Sequence, residues 1–115
     1  MSQDISENLR ISRLLDFYGN LLSDRQRDIC QMYFNDDLSL SEISEEVGIT
    51  RQGVRDSIEK GKTLLCSFEE KLGLMEKFEE MQSDVQRIMN CVRSIEGINE
   101  KESEEIYSIA QRILA

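Results

Sequence analysis

The stretch "LSLSEISEEVGITRQGVRDSIEKGK", Leu38 to Lys62, limits what this 115-residue chain can fold into more than any other. Ser39, with Glu42 at the third helical place, is a capping box, so a helix begins near Leu40. Gly48 stops it eight residues later, because glycine accepts the left-handed backbone of a tight turn. Thr50 then caps a second helix. Ile43 and Val47 face inward from the first helix, Ile49 fills the turn, and Val54 faces inward from the second. Two helices glued at such an elbow form a helix-turn-helix, here at about residues 39–62.

The same reading extends over the rest of the chain. Between Ile5 and Leu22 apolar residues recur at three- and four-residue steps, the period of an amphipathic helix. Ser23 with Gln26 caps a second helix, roughly Asp24 to Phe34, which "NDDLS" breaks. The helix that starts after Thr50 meets no strong stop before Gly73 and runs about 22 residues. Gly53 and Gly61 lie inside it at a cost of about 1 kcal/mol each relative to alanine; close approach of a neighbouring backbone or ligand is one reason to keep them.

After Gly73, Leu74, Phe78, Met81, Val85, Ile88, Val92 and Ile95 follow steps of 4, 3, 4, 3, 4, 3, a heptad seam. Gly97 ends that helix, and Asn99 with Glu102 caps a last one carrying Ile106, Ile109, Ala110, Ile113 and Leu114. The expectation is an all-α protein. Residues 1–73 form the helix-turn-helix domain and residues 74–115 a C-terminal helical hairpin, packed on the first part or forming a dimer seam. The absence of proline and tryptophan, with 32% charged residues, fits helices better than sheets.

The N-terminus lacks the apolar run of a signal peptide, and no window approaches the roughly 18–20 apolar residues that cross a bilayer, so a cytoplasmic chain without membrane insertion is expected. Cys30, Cys66 and Cys91 each sit in an apolar helical pattern and read as buried, reduced thiols. Histidine is absent. With no glycine-rich phosphate loop, no nucleophile beside a histidine and no clustered metal ligands, neither an enzyme, a metal site nor a cofactor is expected.

An exposed face follows from the elbow. The first turn of the second helix presents Arg51, Gln52, Arg55 and Asp56, with Thr50 at its cap. Arginine can bond guanine through two hydrogens, and glutamine can do the same to adenine. Ser39 and Ser41 stand where hydroxyl and backbone donors meet phosphate, with Lys60 and Lys62 as phosphate contacts further along. Charge opposes this. The chain carries a net -9. Ser23 to Lys62 has 6 basic and 9 acidic residues, net -3, while Arg51 to Lys62 has 4 and 2, net +2. Phosphate neutralisation supplies most nonspecific affinity, so a lone copy should bind DNA weakly; a homodimer would double its contacts.

The segment "LLSDRQRDICQMYFNDDLSLSEISEEVGITRQGVRDSIEKGKTLLCSFEEKLGL" resembles the bacterial YlxM/p13-like helix-turn-helix family, and its elbow is similar to region four of sigma factors, which reads promoter DNA. The likeness is most specific in "LSLSEI", "GITRQGV" and "EEKLGL". It implies a sigma region-four-like bundle. It also implies a DNA-binding regulatory protein of a family encoded beside the signal recognition particle GTPase and its receptor, and thought on that ground to act in the pathway. The other reading is a protein or ribonucleoprotein interaction module, binding that GTPase or its RNA without reading DNA sequence. Two positions depart from the pattern. Ser44 stands where helix-turn-helix motifs usually place alanine, and Ser57 where sigma-type motifs place an apolar residue, moving the buried position to Ile58.

Overall fold

The computed structural model describes residues 2–114, with side chains from residue 5 onward. The described residues form six α-helices and no strand: α1 (Ser2–Tyr18), α2 (Asp24–Phe34), α3 (Leu40–Val47), α4 (Arg51–Leu72), α5 (Leu74–Arg93) and α6 (Glu100–Leu114), with a 3-10 turn over Gly19–Leu21. The chain divides into two compact units, Met1–Met75 and Glu76–Ala115. Among the described residues, no helix is long and apolar enough to cross a membrane.

In the first unit, α4 is the element on which the others pack. Ile11, Leu14, Leu15 and Tyr18 of α1, Ile29, Cys30 and Phe34 of α2, and Ile43 of α3 join Val54, Ile58 and Leu65 of α4 in one buried cluster. The inward face of α1 is narrower than its periodicity suggests. Ile5 and Leu9 are 65% and 63% exposed, and Leu21, in the 3-10 turn, also faces outward. Leu64 and Leu72 of α4 are likewise exposed.

Where α2 crosses α4 the helices leave no room for a side chain at Gly61: a Cβ there would stand 2.5 Å from Cys30 Sγ. That contact supplies the close approach which justifies a glycine in mid-helix. The start of α5 is held by two side chains distant in sequence. Tyr18 Oη donates to Glu69 Oε1 at 2.5 Å and accepts from the Leu74 N–H, while the Met75 N–H donates to the same Glu69 oxygen at 3.0 Å. A carboxylate is favoured there because the first N–H groups of a helix lack intrahelical partners and carry partial positive charge. Burial, followed by the hydrogen bond to Glu69, raises the Tyr18 phenol above its ordinary range.

The second unit is a helical hairpin whose core is Val85 and Met89 of α5 against Ala110 of α6, flanked by Tyr107 and Leu114. Asn99 caps α6, its side chain accepting from the Lys101 N–H at 2.8 Å. The seam of α5 is divided. Val85 and Val92 are buried beside Met89, whereas Leu74, Met81 and Ile88 point outward. The helix also stops at Arg93, so Ile95 lies beyond it. Cys30 is buried as expected, Cys66 is half-buried, and Cys91 is exposed, contrary to its apolar sequence context.

Candidate nucleic-acid interface

The elbow is built from its caps. Ser39 precedes α3; its hydroxyl accepts from the Glu42 N–H at 3.1 Å, and its own N–H donates to the Glu42 carboxylate at 3.0 Å. Such a cap is worth about 1 kcal/mol. The Ser39 N–H, and after it the Ser39 side chain, hold the Glu42 carboxyl below its ordinary pKa. The start of α3 is thus already served by the chain's own carboxylate, and Ser39 spends its N–H there.

Gly48 closes α3 with φ 78°, its N–H donating to the Ser44 carbonyl at 2.9 Å. Only glycine takes that conformation without strain. The Ser44 hydroxyl donates to the Ile49 carbonyl across the turn, which accommodates the serine at this position. Thr50 caps α4, accepting from the Gly53 N–H at 3.0 Å. Ile43 and Val54 are fully buried and Ile58 nearly so, while Ser57 is half-buried. The buried face of α4 therefore runs through Ile58, as the departure at Ser57 predicts.

Outside this elbow, Ser39, Ser41, Arg51, Gln52 and Arg55 line one hollow of about 350 Å³ with Leu40. Five of the eight residues singled out in the sequence are thus brought together, with Thr50 as the cap beside them. Arg51 Nη1 reaches Ser41 Oγ at 3.5 Å, a long contact, and Gln52 Nε2 donates to Asp56 Oδ1 at 3.0 Å. Arg55 also lines a second hollow of about 260 Å³ with Tyr33, Leu40, Ile58 and Glu59. Tyr33 reads as a core residue in the sequence. In the structure it is half-buried against the core, as that reading has it, and also stands at the edge of this face, a placement that no local pattern signals.

The two lysines stand apart. Lys62 Nζ lies 2.9 Å from Glu7 Oε1 on α1 and 4.0 Å from Glu59, and the bond to Glu7 raises its pKa. The sequence groups Lys62 with the phosphate contacts; the structure uses it to tie α1 to α4. Lys60 is exposed but lines a different hollow, with Gln26, Glu59, Thr63 and Leu64. The compact basic group is therefore Arg51 and Arg55 at the head of α4, with acidic Asp56 and Glu59 on the same helix.

A capped short helix, a glycine turn and a long second helix with its polar first turn exposed define a helix-turn-helix protein. The comparisons with known proteins agree. A family model described as "Putative helix-turn-helix protein, YlxM / p13 like" matches residues 5–106, and the chain belongs to this family. It is 46% identical over 84 residues to a UPF0122 protein of Caldanaerobacter subterraneus, covering 73% of this chain and 72% of the relative. A UPF0122 protein of Acetivibrio thermocellus is 47% identical over 83 residues, 72% and 71% of the two chains. One from Bacillus cereus is 37% identical over 105 residues, 91% and 96%.

Proposed function

We propose that this protein is a DNA-binding regulator that lays the first turn of α4 in the major groove. Arg51, Gln52 and Arg55 meet base edges there, and Ser39, Ser41, Thr50 and Lys60 lie toward the phosphates. The observation that carries this reading is the shared hollow at the elbow, which gathers two arginines, an amide and two hydroxyls on one exposed face. To read a base, Gln52 must exchange its bond to Asp56 for one to the base edge, and Arg51 its long contact to Ser41. Because the local excess of charge is small, binding is expected to be salt-sensitive and to gain from two copies acting together.

Binding of a mixed duplex pool, followed by fluorescence anisotropy at low and moderate salt, tests this. Arg55→Ala should weaken binding and lower the salt slope by about one if the arginine lies on phosphate, or relax base preference if it reads a base. Arg51→Ala should also weaken binding. Negligible affinity of the native chain, or binding by both variants as tight as its own, overturns the reading.

A specific observation favours a second reading. Lys62 is paired with Glu7, and the chain as a whole carries -9, so the basic face is small on an acidic body. A protein or ribonucleoprotein interaction module fits that balance. For this reading we propose the signal recognition particle GTPase or its RNA as the partner, on the family resemblance. Capture of either component by the native chain, lost in Arg51→Ala and Arg55→Ala while duplex DNA is ignored, supports this second reading over the first.

A further inference from the structure

The hairpin Glu76–Ala115 leaves an apolar face open. Met81 and Ile88 on α5 are 42% and 56% exposed, and Ile109 and Ile113 on α6 are 42% and 41% exposed. Ile88, Ile109 and Ile113 are contiguous. Ile88, Ile106, Ile109 and Ile113 line one hollow of about 220 Å³ over Val85 and Ala110. Ile88 also borders a second hollow, of about 420 Å³, with Val92 and Ile95. Single aliphatic side chains on a surface are ordinary, but a connected group of this kind marks a contact surface.

We propose that this face pairs with the same face of a second copy of the chain, making the protein a two-fold dimer. Charge selects that occupant. Most of a surface bearing -9 repels its own copy. The charged residues one helical turn from the exposed aliphatics are Lys77, Asp84, Glu105 and Arg112. Two basic and two acidic residues give a net of zero. A two-fold axis requires a self-complementary surface, and a neutral border with both signs meets that requirement.

Size agrees. A stable interface takes about 800 Å² from each partner, about a tenth of a small protein's surface; this chain exposes 8264 Å². Two adjacent helices of 20 and 15 residues offer a face on the order of 500 Å² from their lengths and widths, before flanking side chains and the α5–α6 turn are added. The core of the hairpin is thin, with Val85, Met89 and Ala110 as its buried cluster. Units this small usually gain stability from association. The outward half of the heptad seam is therefore the part left for a partner.

Sedimentation equilibrium of the full chain without nucleic acid, from low to high micromolar, tests the proposal independently of any DNA reading. The expected mass is twice 13.4 kDa. Ile88→Glu is expected to weaken dimerisation at least tenfold, and Ile109→Lys to give the same result from the other helix. Leu64→Glu, on an exposed site of the first unit, is expected to remain dimeric. Circular dichroism confirms that the variants are folded; should one fail to fold, the other decides. A native chain that stays monomeric at high micromolar overturns the proposal and leaves the face to a different protein. Folded variants that dimerise like the native chain overturn it too.

Discussion

Gly61→Ala tests the packing that holds α4, and its expected effect runs against helix propensity. In an open helix the substitution stabilises by about 1 kcal/mol. Here the new methyl group would lie 2.5 Å from Cys30 Sγ, with Gln26 Cγ at 3.7 Å. Ordinary contact begins at about 3.5 Å, so a gap of about 1 Å must open. Cys30 is fully buried, so its sulfur can swing only into neighbours. Overpacking of this kind costs about 1–3 kcal/mol. Subtracting the propensity gain leaves a net loss of about 1 kcal/mol, or roughly half a molar in urea midpoint at a slope of about 1–3 kcal/mol per molar. Cys30→Ala removes the obstructing sulfur and alone costs about 1 kcal/mol for the space it leaves. In that background Gly61→Ala should change sign and stabilise, a coupling of about 2 kcal/mol across the cycle. Urea melts of the four proteins measure it. If Gly61→Ala is neutral or stabilising with Cys30 present, or has the same effect in both backgrounds, the close crossing of α2 and α4 is not what requires a glycine.

Two other predictions concern the charges around the elbow. Glu42 has a folded pKa below its unfolded value, so its contribution is present above the ordinary carboxylate range and disappears as pH falls through the lowered value. Glu42→Gln should therefore lower stability near neutrality and flatten the loss on acidification, read from urea midpoints against pH; an unchanged pH profile would remove the capping carboxylate from the account. Lys62→Met should leave the salt slope of duplex binding unaltered, because that ammonium is paired with Glu7, and should cost less than about 1 kcal/mol in stability. A fall in slope of about one would instead place Lys62 on phosphate.

The helices of the first unit were legible because their signals are local. Ser23, Ser39 and Thr50 cap within three residues, and Gly48 stops α3 at the position its backbone requires. The exposed residues at the start of α4 follow from the same short-range geometry, which is why three of them gather in one hollow with Ser39 and Ser41 at the start of α3. What escaped the sequence depends on distant partners. Tyr18 and Glu69 stand 51 positions apart, and neither looks unusual in its own helix. The Lys62–Glu7 pair likewise has no local signature, so the lysine read as a ligand contact. The heptad spacing of α5 was correct as a pattern but silent on orientation: Val85 and Val92 turn inward with Met89, and Ile88 turns out. A period specifies a stripe on a helix; the neighbours decide which edge of it is covered.

The elbow and the hairpin bear on one difficulty, an acidic protein with a helix-turn-helix for which we propose DNA binding. Base recognition uses a few directed hydrogen bonds and tolerates a low net charge, whereas residence on the duplex depends on phosphate neutralisation. This chain has the directed groups in Arg51, Gln52 and Arg55, but it pairs Lys62 internally and places Glu42 at the start of α3. If it reads DNA as we propose, a single head so equipped discriminates better than it holds. Joining two heads makes the second contact intramolecular and raises its effective concentration without adding positive charge. In our proposal the neutral apolar face on the hairpin does this. On that account Ile88→Glu should weaken duplex binding while the elbow stays intact, and Arg55→Ala should weaken it while the dimer stays intact. If Ile88→Glu abolishes the dimer but leaves affinity and salt slope unchanged, each head holds DNA alone and the acidic body is no obstacle to it.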